Sequence, residues 1–170
     1  MEEQMINTIE FLQKLKESRA PKTEEPRVQI VVVALNHARY GIKILSVREI
    51  LKVKKITWVP CTPESIIGVI SVRGEIQAVI DLKHFLQFGF SQITEHSRII
   101  LVESKEFVAG VLVDEMVDIL DVPQSNFLPL TESNLNVAPK YVAGKFSWKE
   151  TMITLLDIDM LIQEVVVNQG

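Results

Sequence analysis

The sequence predicts a mainly β protein made of two similar lobes, and three observations support that prediction. Eight short segments rich in β-branched residues alternate with turn signals, which is the pattern of strands joined by tight turns. Several segments are apolar on both faces, which favours strands curled into small closed barrels over one open sheet with a wet side. Two blocks of the chain also repeat in the same order, which indicates a duplicated architecture.

The first predicted element is an amphipathic helix over residues 2–18. Acidic residues lie in its first turn and lysines in its last, where they complement the helix dipole. Pro21 stops the helix, and the polar residues after it form a linker, so residues 1–26 are predicted to be a helix followed by a linker. The apolar face of this helix carries Met5, Ile9, Leu12 and Leu15.

The β-rich body begins near Arg27 and contains the eight predicted strands. Turns are expected at Asn36-His37, Arg73-Gly74 and Ser104-Lys105. Brief helical signals occur at 45–51 and 82–88. The body ends on an amphipathic stretch that carries Ile158, Leu161, Ile162 and Val165. The predicted strands are 28–35, 40–44, 66–72, 76–80, 98–102, 107–113, 141–146 and 152–156.

An internal repeat divides this body. Residues 41–53 align without gaps on 110–122, and residues 68–82 align without gaps on 144–158. Chance similarity between β-rich segments is the alternative, but two gapless blocks in the same order favour duplication. Two adjacent lobes leave a groove between them, and such grooves are common binding sites. The expected division is a first lobe over about 27–91, a second lobe over about 92–166 and a tail over 167–170.

Composition and charge exclude several classes of function. The 170 residues carry a formal charge of −4 and no long basic run, so nucleic acid is a poor candidate partner. A single cysteine favours a reducing, cytoplasmic setting, because secreted chains of this size more often carry paired cysteines. The N-terminus does not resemble a signal peptide, and no apolar stretch of roughly 20 residues exists to span a bilayer. We therefore expect a cytoplasmic protein without direct membrane insertion.

Histidine and cysteine do not predict a metal or nucleophile site. His37, His84 and His96 are far apart, and none lies three or four residues from another histidine or a cysteine, as metal-binding motifs require. Cys61 lies between two prolines in a predicted loop, and no neighbour that would lower its thiol pKa can be named from the sequence. No cofactor or metal is expected at these residues.

The densest acidic cluster does not match a calcium loop either. It lacks the glycine and the alternating ligand spacing of that loop, so a solvated helix face is the interpretation we favour. Neither a phosphate-binding glycine-rich loop nor a Gly-x-Ser-x-Gly nucleophile motif occurs. The sequence therefore predicts no catalytic residues. The cluster consists of Asp114, Glu115, Asp118 and Asp121.

Two features instead suit recognition of another protein. Ile44, Val47 and Leu51 are spaced to form one aliphatic stripe of a helix, with Glu49 at its edge. On periodicity alone, the same stripe is also what a core-facing segment would show. Arg73 lies at a predicted hairpin tip, where an exposed guanidinium can form bidentate hydrogen bonds with a carboxylate. An ordinary solvated turn residue is the alternative for Arg73.

A series of segments occurs in the same order as in one known family: Tyr40-Gly41-Ile42, Val47-Arg48-Glu49-Ile50, Val59-Pro60, Gly68-Val69-Ile70, Arg73-Gly74, Val79-Ile80-Asp81-Leu82, Gly110 to Asp114 and Leu155-Leu156-Asp157-Ile158-Asp159. Through these segments the chain resembles the CheW family of chemotaxis coupling proteins over about residues 27–166. The similarity depends on a series of segments in the same order, which is more specific than any single motif. The sequence differs from the family pattern at Ser71-Val72, where Asn-Leu is usual, and at Ala78, where proline is frequent.

The resemblance implies both a fold and a function. The fold would be two five-stranded, SH3-like barrels with short helices. The function would be a non-enzymatic scaffold that couples methyl-accepting chemotaxis receptors to the histidine kinase CheA in arrays beneath the membrane. Matching positions imply receptor docking by Ile44, Val47, Glu49 and Arg73, and a weaker match suggests a kinase or array contact at Phe127 and Leu128.

Three other functions remain open at this stage. A similar coupler can serve a related pathway for pilus or gliding motility. The chain can also be a regulatory module similar to the CheW half of CheV or to the regulatory part of CheA, although 170 residues leave no room for a receiver or kinase domain. A small enzyme with an unrecognised site is the third alternative, and no residue of the sequence is nominated for it.

Overall fold

The computed structural model describes residues 8–14, 25–105, 107–131 and 136–167. Within them, ten strands form two five-stranded sheets, and few helices are present. The strands are β1 Arg27–Leu35, β2 Ala38–Lys43, β3 Val47–Lys52, β4 Ile66–Val72, β5 Glu75–Asp81, β6 Arg98–Ser104, β7 Phe107–Val113, β8 Glu115–Pro123, β9 Val142–Trp148 and β10 Thr151–Leu156. The α-helical segments are α1 at residues 8–14, α2 Leu82–Phe85 and α3 Ile158–Val167.

The two sheets have equivalent strand orders. Exchanging each strand of β1–β5 with its counterpart in β6–β10 (β1 with β6, β2 with β7 and so on) converts one order into the other. The first sheet has the order β8-β1-β2-β10-β9, and the second has the order β3-β6-β7-β5-β4. In each sheet one pair is parallel, β2 with β10 and β5 with β7, and the other pairs are antiparallel. The duplicated architecture is therefore present in the topology.

The expected division into consecutive lobes is wrong for the sheets. Neither sheet is built from 27–91 or from 92–166 alone, because each takes two strands from one half of the chain and three from the other. A short 3-10 turn, Ile44–Ser46, leads from β2 in the first sheet directly into β3 in the second. The two repeats thus exchange strands, and no local sequence pattern records which sheet a strand will join.

Equivalent glycines show how closely the repeats match. A Cβ atom at Gly41 would lie 2.7 Å from Cγ2 of Ile30, and one at Gly110 would lie 2.7 Å from Cγ2 of Ile99. Each glycine lies on the second strand of its repeat, and each isoleucine lies on the first. Both positions need glycine because the neighbouring side chain occupies the space that a methyl group would take.

Equivalent aspartates begin the helix that follows each repeat. Oδ1 of Asp81 accepts a hydrogen bond from the backbone N–H of His84 at 3.4 Å, and Oδ1 of Asp157 accepts one from the backbone N–H of Met160 at 3.1 Å. Both are N-cap bonds of the kind that satisfies a free amide in the first helical turn. The aligned aspartates therefore have the same structural role.

Each sheet curls so that side chains from its opposite edges meet. In the first sheet, Val122 of one outer strand and Phe146 of the other belong to one cluster. Outside the named strands, single bridges pair Thr57 with Val69 and Phe127 with Phe146. The hydrogen-bonded order of the described strands is nevertheless open in both sheets, so closed SH3-like barrels remain an expectation.

The largest core lies between the two sheets. It contains Val31 and Val33 from β1 together with Ile100 and Val102 from β6. Smaller cores fill the concave side of each sheet. The sheets are therefore joined by a packed apolar interface, and burial of this surface contributes much of the stability of the pair.

Helix predictions met with mixed outcomes. α3 is confirmed, and the four apolar residues predicted for its inner face are buried. The helical signal at 45–51 is wrong, because Val47–Lys52 is strand β3. The acidic cluster lies on or beside strand β8 and is not a helix face. The signal at 82–88 gives only Leu82–Phe85.

The N-terminal helix is described only over residues 8–14. Leu12 is 2% exposed and belongs to the core between the sheets. The rest of the predicted helix, with Met5 and Leu15, lies outside the described residues. No helix among those described has the length and apolar character needed to cross a bilayer.

Candidate functional site

A bidentate ion pair joins Glu49 of β3 to Arg73 of the β4–β5 turn. Nη1 of Arg73 lies 2.6 Å from Oε2 of Glu49, and Nη2 lies 2.9 Å from Oε1. The two side chains differ sharply in exposure, because that of Glu49 is 3% exposed and that of Arg73 is 66% exposed. The pair therefore fixes one end of an exposed guanidinium on a buried carboxylate.

Local backbone geometry places Arg73 at the tip of its hairpin. Arg73 and Gly74 have φ angles of 50° and 81°, and they form a two-residue turn between Val72 and Glu75, which are paired in the ladder. Two consecutive positive φ angles match the twist of the flanking strands. The predicted turn at Arg73-Gly74 is confirmed, and it places Arg73 at the hairpin tip.

The carboxylate orients the guanidinium and stabilises its charge. Hydrogen bonds from Arg73 to Glu49, and then the charge of Glu49, raise the pKa of Arg73 above its ordinary value. A guanidinium has five N–H donors, and the bidentate pair leaves others for a partner. The site can therefore present a fixed positive group to a carboxylate or carbonyl of another protein.

Ile44 and Val47 do not form an exposed docking stripe. They are 2% and 0% exposed, and both belong to the core between the sheets. The prediction that they contact a receptor directly is wrong for this conformation, because the segment forms a 3-10 turn and a strand instead of a helix. The core interpretation of the stripe is confirmed, and Leu45 is the exposed residue of the turn.

Sequence reasoning missed Ile76, which lies on the same hairpin as Arg73. Ile76 is 66% exposed and is paired with Ser71 in the ladder. Its position two residues after the predicted turn was the available signal, because residues next to a hairpin tip extend past the neighbouring strands. An exposed isoleucine beside a fixed arginine provides the apolar contact that the buried stripe does not provide.

Phe127 and Leu128 lie beside the outer strand β9 of the first sheet. The ring of Phe127 packs edge-to-face on Phe146, with centroids 5.3 Å apart, so it belongs partly to the core. The backbone N–H of Leu128 donates to the carbonyl of Lys145 at 2.8 Å, and its side chain is exposed. Leu128 is therefore the member of this pair that another molecule can reach.

Two other titratable side chains, His84 and Asp114, make contacts within the fold. His84 stacks on Phe90 with ring centroids 4.2 Å apart, and its Nε2 lies 3.4 Å from a carboxylate oxygen of Glu64. Asp114 accepts a hydrogen bond from the backbone N–H of Asn36 at 2.7 Å. Cys61 is exposed. In the described part of the chain, no three His, Cys, Asp or Glu side chains cluster as metal ligands would.

Comparison with known proteins gives consistent matches over the β-rich body. A sequence model of the CheW-like domain matches residues 29–166. The chain is 33% identical over 135 residues to the chemotaxis protein CheW of Klebsiella aerogenes, across 79% of this chain and 81% of that protein. It is 29% identical to Protein FrzA of Myxococcus xanthus, across 81% of this chain and 87% of that protein.

A solved structure has the same fold. The crystal structure of the scaffolding protein TtCheW from Thermoanaerobacter tengcongensis matches with a TM-score of 0.76 and 30% sequence identity. The match covers 85% of this chain and 93% of that chain. The similarity therefore includes the arrangement of both sheets as well as the sequence.

Proposed function

This chain belongs to the CheW-like domain family, and from that premise we propose that it couples methyl-accepting chemotaxis receptors to the histidine kinase CheA. It is a coupling scaffold of chemotaxis signalling, and the observation that carries this conclusion is the family match across residues 29–166. The partners follow from the resemblance to CheW. We propose that it acts by binding alone, on the cytoplasmic side of receptor arrays, and reaches the membrane only through its partners.

The receptor contact is proposed at the β4–β5 hairpin. Arg73 supplies a fixed cation, Glu49 holds it in place, and the exposed Ile76 supplies an apolar contact. Docking of a receptor helix would place an aliphatic side chain on Ile76 and a carboxylate or carbonyl on Arg73. In this proposal, Ile44 and Val47 support the surface from the core without touching the receptor.

The kinase contact is proposed at the first sheet. Resemblance to CheW implies that the regulatory domain of CheA, which is itself similar to CheW, docks one curled sheet against another. Leu128 is exposed beside β9, and Leu130 is exposed two residues later. Two exposed leucines at one sheet edge suit such a contact, because apolar residues dominate the centre of stable interfaces.

The receptor site is tested by charge reversal at Arg73. Arg73→Glu is expected to weaken binding to a receptor cytoplasmic tip by about tenfold or more, because a carboxylate replaces the cation that faces the partner. Binding to the CheA regulatory domain should stay within about twofold, since the proposed kinase contact lies on the other sheet. Calorimetric titration of both partners measures the two affinities, with Lys105→Glu as a control at an exposed turn.

A second variant separates docking from stability. Arg73→Glu places a new carboxylate beside the buried Glu49, so the Glu49→Gln/Arg73→Gln double variant is measured as well, because it leaves no unpaired buried charge. Unchanged receptor affinity in both folded variants would reject the site. If the unaltered protein binds neither receptor tips nor CheA, the proposed function itself is wrong.

A coupler of a related motility pathway is the second candidate. The similarity to Protein FrzA of Myxococcus xanthus is compatible with it. Capture experiments with all receptor tips and CheA-like kinases of the same organism discriminate the two pathways. Preference for a kinase outside the chemotaxis operon would support the second candidate.

A further inference from the structure

The seam between the outer strands of the second sheet contains a cavity of about 210 Å³. β3 and β4 are the two edges of that sheet, and no ladder joins them. Glu49 of β3 and Arg73, which follows β4, span the seam with their ion pair, and Thr57 of the connecting segment forms a single bridge with Val69 of β4. The cavity is therefore a gap between two strand edges that an ion pair links.

The floor of this cavity is aliphatic. Leu51 and Ile70 come from the two edge strands, and Ile99 comes from β6 beneath them. All three are buried members of the core on the concave side of the second sheet. An aliphatic side chain of a partner that entered the cavity would extend an existing core, and burial of apolar surface would favour binding.

The rim of the cavity is cationic. Lys52, Lys54, Lys55 and Arg73 line it, and Glu49 is the one carboxylate among the lining residues. Glu49 is already paired with Arg73, whereas none of the three lysines forms an ion pair with a described residue. The whole chain has a formal charge of −4, so this rim is a local reversal of sign. Such a patch attracts negatively charged partners and rejects positively charged ones.

We propose that the seam docks an acidic segment of a partner protein, which inserts one aliphatic side chain between Leu51 and Ile70 and sets its carboxylates against Lys54 and Lys55. Charge complementarity selects the partner, and the fixed guanidinium of Arg73 sets its register. The inference rests on the proposed function only in assigning that segment to a receptor tip. Lys54 and Lys55 thereby add a preference for acidic partners to the contact that Arg73 of the hairpin makes.

Two synthetic peptides test the surface without a receptor. Both have leucines at the same positions, and glutamate fills the remaining positions in one while lysine fills them in the other. Titration is followed through the methyl resonances of Leu51, Ile70 and Ile99. The acidic peptide is expected to shift these resonances and to bind about tenfold or more tightly than the basic one, and raising the salt concentration should weaken its binding.

A matched pair of variants localises the effect. Lys54→Glu/Lys55→Glu should lower the affinity for the acidic peptide by about tenfold, whereas Lys105→Glu/Lys149→Glu, which changes the net charge equally at two hairpin turns, should change it by less than about twofold. Equal affinities for both peptides, or shifts confined to other methyl groups, would overturn the inference.

Receptor-tip fragments separate the two conclusions. If the unaltered chain binds a receptor tip but the Lys54→Glu/Lys55→Glu variant binds it equally well, the acidic-segment inference is wrong and the coupling function stands. If the acidic peptide binds the seam while no receptor tip does, the surface is supported and its assignment to receptors is wrong.

Discussion

Glu49 and Arg73 form an ion pair whose two ends differ in what they lose when the partner is removed. The carboxylate of Glu49 is almost fully buried, so it depends on the guanidinium for its hydrogen bonds. The guanidinium of Arg73 is largely exposed, so water can replace the carboxylate. Leaving a buried acceptor unsatisfied costs more than exposing a donor to solvent. The exposed residue is therefore the more important of the two for stability.

This asymmetry predicts different costs for the two single substitutions. Arg73→Ala should lower the free energy of unfolding by about 1–3 kcal/mol, because it leaves Glu49 buried without a partner. Glu49→Gln should cost less, since an amide keeps an acceptor for Arg73 and removes the buried charge. Urea unfolding measures both, and Lys105→Ala serves as a surface control with a change within about 0.5 kcal/mol. Equal losses for the two substitutions would contradict the predicted asymmetry.

Single residues of the site were predictable only in part. Arg73 was found because Arg-Gly between two apolar runs marks a hairpin tip. Its pairing with Glu49 was not predictable, since the two are 24 residues apart and β3 had been interpreted as a helix. Ile44 and Val47 fit either a docking stripe or a core segment, because spacing does not report which side of an element is covered.

At the scale of elements, α1 borders a groove between outer strands of the two sheets. A groove of about 670 Å³ between the sheets is lined by Phe11 and Thr8 of the helix, by Ile50 of β3 and by Met116 and Ile119 of β8. β3 and β8 are outer strands of different sheets. Leu12 of the same helix belongs to the core between the sheets, so the helix adds apolar surface beside these two outer strands.

Leu12 anchors that helix and provides its test. Leu12→Ala should lower the free energy of unfolding by about 2–3 kcal/mol, because a buried leucine is lost from the core between the sheets. Gln13→Ala, on the exposed side, should change it by less than about 0.5 kcal/mol. Thermal and urea unfolding measure both. If Leu12→Ala were as mild as the control, the helix would not be part of the folded core.

Elements differed in how clearly the sequence predicted them. α3 was predicted because four apolar residues recur at helical spacing and all face the core. β3 and β8 were missed because charged and apolar residues alternate irregularly in them, which also suits a helix. Both are outer strands, paired with a neighbour on one side only, and both mix charged with apolar residues. The inner strands β1 and β6 are instead nearly continuous apolar runs.

The whole molecule is held together by strand exchange between its two repeats. β1 pairs with β8 and β2 pairs with β10, while β3 pairs with β6 and β5 pairs with β7. All four pairings join one half of the chain to the other. Pairings within the first half are limited to the hairpins β1–β2 and β4–β5. The duplication was visible in the sequence, but the exchange was not, because both arrangements bury the same residues on the same strands.

Exchange predicts that the halves of the chain cannot fold separately. A fragment of residues 1–91 keeps two hairpins and lacks the partners of β3, and isolated hairpins are marginally stable in water. Residues 1–91 and 92–170 should each give poorly dispersed NMR spectra, and an equimolar mixture should regain the dispersion of the intact chain. Cleavage of the folded chain between residues 91 and 92 is the control, because it cuts a described segment outside every strand. A well-dispersed spectrum from either fragment alone would mean that a lobe folds without its exchanged strands, and the sheets would then have to re-form within one repeat.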